Sequence, residues 1–258
     1  MNDEFDSDLF DLGLADLTPV DANSGDAKAH FWPGDLVVLA EHGTLDAETY
    51  VVAIDSSATW GVPGEPQICA IKIARDFNQG TYTYESGWHA TASFAQNWLI
   101  ERGCPPEPIS QIGEDFMQPA DDLMTQVVEQ KIRASGARYE VLDTYTSDSN
   151  PCETWTLTRD GIAPKAPIRV FLDEGDLAAH TYTLREGAFA DEHAARMWLD
   201  ERSGPLPEPP DYRGEVALRT AAALTRSAGA YALPRTGIDP HGTSPATTGW
   251  RPNSGRSI

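Results

Sequence analysis

Histidines, cysteines and paired carboxylates are the residues of this chain that could do chemistry, and their spacing decides which chemistry is open. The six histidines are His30, His42, His89, His180, His193 and His241. None belongs to an HExxH or similar ligand-spaced set, so neither a metal centre nor a cofactor site is expected. Cys69, Cys104 and Cys152 are odd in number and show no CxxC spacing. That excludes a disulfide framework or a zinc site and suits a reducing cytosol. Asp191-Glu192-His193 sets acids beside a base, yet consecutive residues on a helix point in different directions. Glu114-Asp115 and Asp121-Asp122 stand where a helix begins, and acids there complement its positive end. No GxSxG elbow, GxxxxGK[ST] loop or GxGxxG turn occurs. On residue types alone, the chain reads as non-enzymatic.

These residues are set on a duplicated framework. Thr81–Pro108 recurs as Thr181–Glu208, and eleven of the 28 aligned positions are identical. The shared residues include Tyr82/Tyr182, Gly87/Gly187, Trp98/Trp198, Leu99/Leu199 and Arg102/Arg202. Chemistry needed by the unit should appear in both copies, and no histidine does: His89 stands opposite Phe189, His180 opposite Gly80 and His193 opposite Ser93. Cys69 and Cys104 face Arg169 and Gly204. Tyr82, Trp98, Leu99, Tyr182, Trp198 and Leu199 therefore read as the structural core of the copies. Glu101-Arg102 and Glu201-Arg202 read as a solvated last helical turn, the arginine favoured by the helix dipole.

The framework predicts an α+β protein with two tandem β-β-β-β-α units, each an antiparallel sheet with one packed helix. In unit 1 (residues 30–110), short β-branched runs predict strands at Leu36–Glu41, Thr49–Asp55, Gln67–Ala74 and Gly80–Tyr84. Ala90, Phe94, Ala95, Trp98 and Leu99 then make one helical face, with Thr91 as cap and Gly103 as stop. Unit 2 (137–210) repeats this with strands at Tyr139–Tyr145, Glu153–Thr158, Ile168–Asp173 and His180–Leu184 and a helix at Asp191–Arg202. Between them, a linker over 111–136 carries an amphipathic helix through Leu123, Met124, Val127, Val128 and Ile132. Residues 1–29 read as an acidic flexible arm, 211–228 as a C-terminal helix and 229–258 as a disordered tail. The leading helix and strands of the second unit, with Ala137-Arg138-Tyr139-Glu140-Val141 at the first strand, resemble double-stranded RNA-binding domains in element order. The basic patch of that family falls on Ala190–Arg196, which reads ADEHAAR here, so the resemblance implies no phosphate contact.

Charge supplies the functional expectation. The chain has 40 acids against 19 bases, a net charge of −21. Such a field disfavours nucleic acid and anionic membranes and attracts a basic protein surface. No apolar run reaches the ~18 residues of a membrane helix, and the start MNDEFDSDLF lacks the basic residues of a signal peptide. An excess of arginine over lysine, 15 to 4, with abundant alanine points to a GC-rich bacterial genome. The expected function is a non-enzymatic cytoplasmic interaction protein that engages a basic partner or mimics nucleic acid. Its arm alternates acids with apolar residues at Phe5, Asp6, Asp8, Leu9, Phe10 and Asp11, the pattern of a segment that docks in a partner's groove. One alternative is an enzyme or small-molecule binder whose site lies in the cleft between copies and uses residues unique to one, such as Trp60, His89 or His193. A structural assembly component is the other.

Overall fold

The computed structural model describes residues 12–29, 33–44, 48–57, 64–120, 122–147 and 151–210. The fold is α+β, built on two five-stranded sheets of identical strand order, β1-β5-β4-β3-β2 and β6-β10-β9-β8-β7. The first sheet contains β1 (Thr18–Pro19), β2 (Leu36–Gly43), β3 (Glu48–Asp55), β4 (Ile68–Asp76) and β5 (Thr81–His89). The second contains β6 (Gln118–Pro119), β7 (Tyr139–Ser147), β8 (Glu153–Asp160), β9 (Ile168–Asp176) and β10 (Thr181–Phe189). Helices α1 (Ala22–Ala29) and α4 (Leu123–Arg133) precede the meanders, α2 (Ala92–Glu101) and α5 (Glu192–Glu201) follow them, and α3 (Pro106–Ile109) is a single turn. Both halves belong to one compact unit.

Two features depart from the expected β-β-β-β-α order. Each sheet gains a two-residue edge strand parallel to its last strand, so the sheets are mixed rather than antiparallel. Residues 18–29, expected within a flexible arm, form β1 and α1. Asp21 accepts from Ser24 N at 2.7 Å, and Ser24 Oγ accepts from Tyr84 N at 3.2 Å. Asp122 and Thr125 do the same in the second half: Asp122 accepts from Thr125 N at 2.8 Å, and Thr125 Oγ1 accepts from Leu184 N at 3.1 Å. The linker helix is thus the counterpart of α1. Ser24, a polar residue, is the buried anchor of α1, so no apolar stripe marks that helix in the sequence. The strand pairs β2–β3 and β7–β8 also share a register shift, at Val38/Ala40 and Val141/Asp143.

The alternation of β side chains gives each sheet two faces. On the first sheet, Val51, Ala53, Cys69, Ile71 and Ile73 point to one side with Tyr82 and Tyr84, where Leu12, Leu14 and Leu17 cover them. Tyr50, Val52 and Ala70 point to the other, under α2 and α3. Ala95 and Leu99, fully buried, hold α2 to the sheet. Trp98 lies over Gly87, where an added Cβ would stand 3.0 Å from its Nε1. That close approach lets β5 continue to His89, beyond its predicted end at Tyr84. In the second half, Leu157, Val170 and Phe189 pack under α5 with Ala195, Trp198 and Leu199.

The shared arginines are not a freely solvated turn. Arg102 stacks its guanidinium 3.5 Å from the Trp98 ring centroid and bonds Glu85 at 3.1 Å. Arg202 lies 4.9 Å over Trp198 and bonds Glu153 at 2.8 Å. A spacing of four residues puts each arginine one turn past its tryptophan, which accounts for the recurrence of W-x-x-x-R.

Candidate functional site

The two halves meet through α2, and they meet asymmetrically. Phe94 leaves α2 for the second sheet, packing edge-on against Phe171 at 5.3 Å and Tyr139 at 6.4 Å between centroids. Asn97 closes a two-way amide pair with Gly136, donating to its O at 3.1 Å and accepting from its N at 3.0 Å. Gln96 donates to Ile109 O at 2.9 Å and accepts from Arg133 at 3.3 Å. The matching positions of α5 are Ala194, Met197 and Arg196, and that helix buries only Ala195. Gln96 and Asn97 place amides where α5 has an exposed methionine and a charge, so α2 alone is shaped to lie between sheets.

The face of the second sheet beneath α2 and α4 carries charge where the first sheet has uncharged side chains. Arg169, Asp173 and Glu186 stand at the positions of Cys69, Ile73 and Ser86. Arg169 approaches Asp160 at 3.2 Å and Glu186 at 3.5 Å. Arg138 adds a second cation on Asp160 at 2.7 Å, and Lys131 reaches Glu186 at 2.8 Å. Burial works against the Asp160 carboxylate, but its bond from Arg138 prevails and holds it below the usual carboxylate range. Beside them, Tyr182 donates to Glu129, which also pairs with Arg133 at 3.4 Å. These buried charges are matched, as burial of ions requires.

Asp173 is the exception. No hydrogen-bond or ion-pair partner reaches its carboxyl among the described residues. Desolvation, followed by the nearby carboxylates of Glu129 and Glu174, pushes it up to about 8. It lines a cavity of about 390 Å³ between the N-terminal end of α2 and the second sheet. Leu39, Ile54, Ile68, Ile112, Phe116 and Leu184 supply apolar walls from both halves. Thr91 and Thr146, each 4% exposed, stand in the same wall with hydroxyls that find no partner among the described residues. Thr91 occupies the N-cap of α2, yet its side chain makes no capping bond, whereas Asp191 caps α5. At the rim, His180 adopts a left-handed backbone with φ 56°, and its Nε2 lies 3.2 Å from Asp115 O. Gly80 occupies the matching turn at φ 64°. The second copy therefore holds a histidine where the conformation favours glycine.

The residues singled out from sequence lie largely elsewhere. Phe5, Asp6, Asp8, Leu9, Phe10, Asp11 and Trp60 fall outside the described residues. His89 sits against Trp98, 6.3 Å between centroids, and burial, aided by Arg102, lowers it to about 4. It is neutral at physiological pH and does not line the cavity. His193 is exposed on α5; Asp191 there caps Ala194 N at 2.9 Å and Glu192 pairs with Arg196 at 2.9 Å, so the triplet forms no acid–base set. Of the structural residues, Tyr82 and Leu99 are buried, while Trp98, Trp198, Leu199 and Tyr182 are partly buried. Tyr182 belongs to the cavity wall as well. Asp173 and His180 were within reach as site residues, since each replaces an apolar or glycine position of the other copy.

Among the described residues, no group of three or more His, Cys, Asp or Glu is arranged to hold a metal, and no helix is long and apolar enough to cross a membrane. Comparisons with protein families, curated proteins and solved structures find no match to the chain.

Proposed function

We propose that the protein binds a small organic molecule in the cavity between its two halves, which we read as a duplicated β-α-β-β-β-β-α unit whose copies diverged to make the site. The observation that carries this reading is the inter-copy cavity itself: about 390 Å³, walled mostly by apolar side chains, with a few unpaired polar groups. That size and composition match ligand sites in general. The strained His180 at the rim supports the reading, because strained backbone concentrates where function holds it.

A thermal-shift screen of small molecules against the wild type and Thr154→Trp tests it. Thr154 lines the cavity on β8, and tryptophan is accepted in strands, so the bulky ring fills the space without removing core contacts. Compounds that raise the melting temperature of the wild type should lose that effect in the variant. Shifts of equal size in both proteins would place binding elsewhere and refute the proposal.

The net charge of −21 favours a second reading, an acidic surface that engages a basic protein. Retention of a basic partner from a lysate at low salt and its release at high salt would support it; no retention at low salt would end it. Leu12, Leu14 and Leu17 pack on the first sheet, so the end of the arm nearest the fold is engaged within this chain.

A further inference from the structure

Resting on the reading of the cavity as a ligand site, we propose that its ligand is an organic amine, with an apolar body against the isoleucine and leucine wall and an ammonium group paired to Asp173. The charge around the space selects this class. Asp115, Glu153 and Asp173 are among the lining residues, Glu153 being paired with Arg202 at 2.8 Å, and no lysine or arginine stands among the described residues that form the cavity. An anionic ligand would meet repulsion there without a counter-charge.

Asp173, half-buried, also differs from the buried acids on this face. Asp160 has Arg138, Glu186 has Lys131 and Glu129 has Arg133. Asp173 has only carboxylates as charged neighbours, Glu129 and Glu174. Among the acids of this face it is the one that a cation from outside the chain would balance. A hard metal ion is a poor candidate, since it takes six or more oxygen ligands and the described residues offer no such group. A primary ammonium needs less: one carboxylate and acceptors for its remaining protons. The unpartnered Thr91 and Thr146 hydroxyls lie in the same wall.

The pairing has a proton balance. Near neutrality, burial beside Glu129 and Glu174 favours the protonated Asp173 carboxyl in the free protein. When the ammonium enters, that proton leaves to solvent, and the carboxylate and ammonium form the ion pair. Binding therefore releases about one proton per ligand at pH 7.

Calorimetric titration in two buffers of different ionisation enthalpy, using phenethylamine, its isostere 2-phenylethanol and the anion 3-phenylpropionate, tests this. Phenethylamine should bind about tenfold or more tightly than the alcohol, with about one proton released. Asp173→Asn should remove that preference, and the comparison among probes on the wild type stands even if this variant folds poorly. Equal or tighter binding of the alcohol or the propionate overturns the amine assignment and leaves the cavity reading intact. An amine preference undiminished in Asp173→Asn overturns the pairing with Asp173. Absence of binding by all three probes at millimolar concentration overturns both.

Discussion

Replacing Asp173 by asparagine should change how stability depends on pH, and the structure gives the sign and size. Burial, with Glu129 and Glu174 nearby, pushes the carboxyl from the ordinary carboxylate range up to about 8. A carboxyl raised in this way is held protonated by the folded state over a range in which the unfolded chain gives the proton up. Its stabilisation is complete below pH ~4, falls as pH rises, and is gone above pH ~8. Some four units at about 1.4 kcal/mol each set a ceiling of about 6 kcal/mol. Asp173 is only half-buried and faces a cavity, so screening there reduces the effect to about 2–3 kcal/mol. Asparagine keeps the shape and cannot ionise. Urea unfolding of both proteins from pH 4 to pH 9 gives a difference profile in which the other titrating groups cancel. The variant should match the wild type near pH 4 and exceed it by about 2–3 kcal/mol near pH 8.5, roughly 5–10 °C in melting temperature. Parallel profiles across the whole range would refute the argument that Asp173 is desolvated and unpaired.

Three further outcomes follow from the packing. Phe94→Ala, which empties the edge-on cluster with Tyr139 and Phe171, should cost about 3–5 kcal/mol in denaturant unfolding; a loss below 1 kcal/mol would mean that α2 does not couple the halves. Gly87→Ala forces a Cβ to 3.0 Å from the Trp98 indole and should cost about 1–3 kcal/mol by the same measurement. His180→Gly relieves a left-handed conformation at φ 56° and should stabilise the protein by about 0.5–1 kcal/mol while weakening ligand binding at the rim; a destabilised variant would show that the histidine contributes to the fold itself.

Much of the scaffold was legible because local signals agreed with tertiary ones. Val51 to Asp55 and Ile68 to Ile73 are β-branched runs in sheet interiors, and the helical stripe of α4 buries Val127, Val128 and Ile132 as predicted, while Leu123 at its start is exposed and Met124 half-buried. Helix α1 was not legible, because its inward residue is a serine whose role depends on Tyr84, sixty positions away. The edge strands β1 and β6 are two residues each and carry no periodicity. For the cavity, the exchange of Ile73 for Asp173 was visible when the copies were compared, but its meaning required α2 to cross from one sheet to the other. The histidines that drew attention by type took other roles: His89 packs on an indole and His193 faces solvent.

Methyl-resolved NMR during a phenethylamine titration reports whether a ligand sits between the halves. Saturable shifts are expected in Leu39, Ile54, Ile68 and Ile112 of the first half and its trailing segment, together with Leu184 of the second. Shifts absent from these methyls, or confined to residues on the outer surface of either sheet, would contradict it.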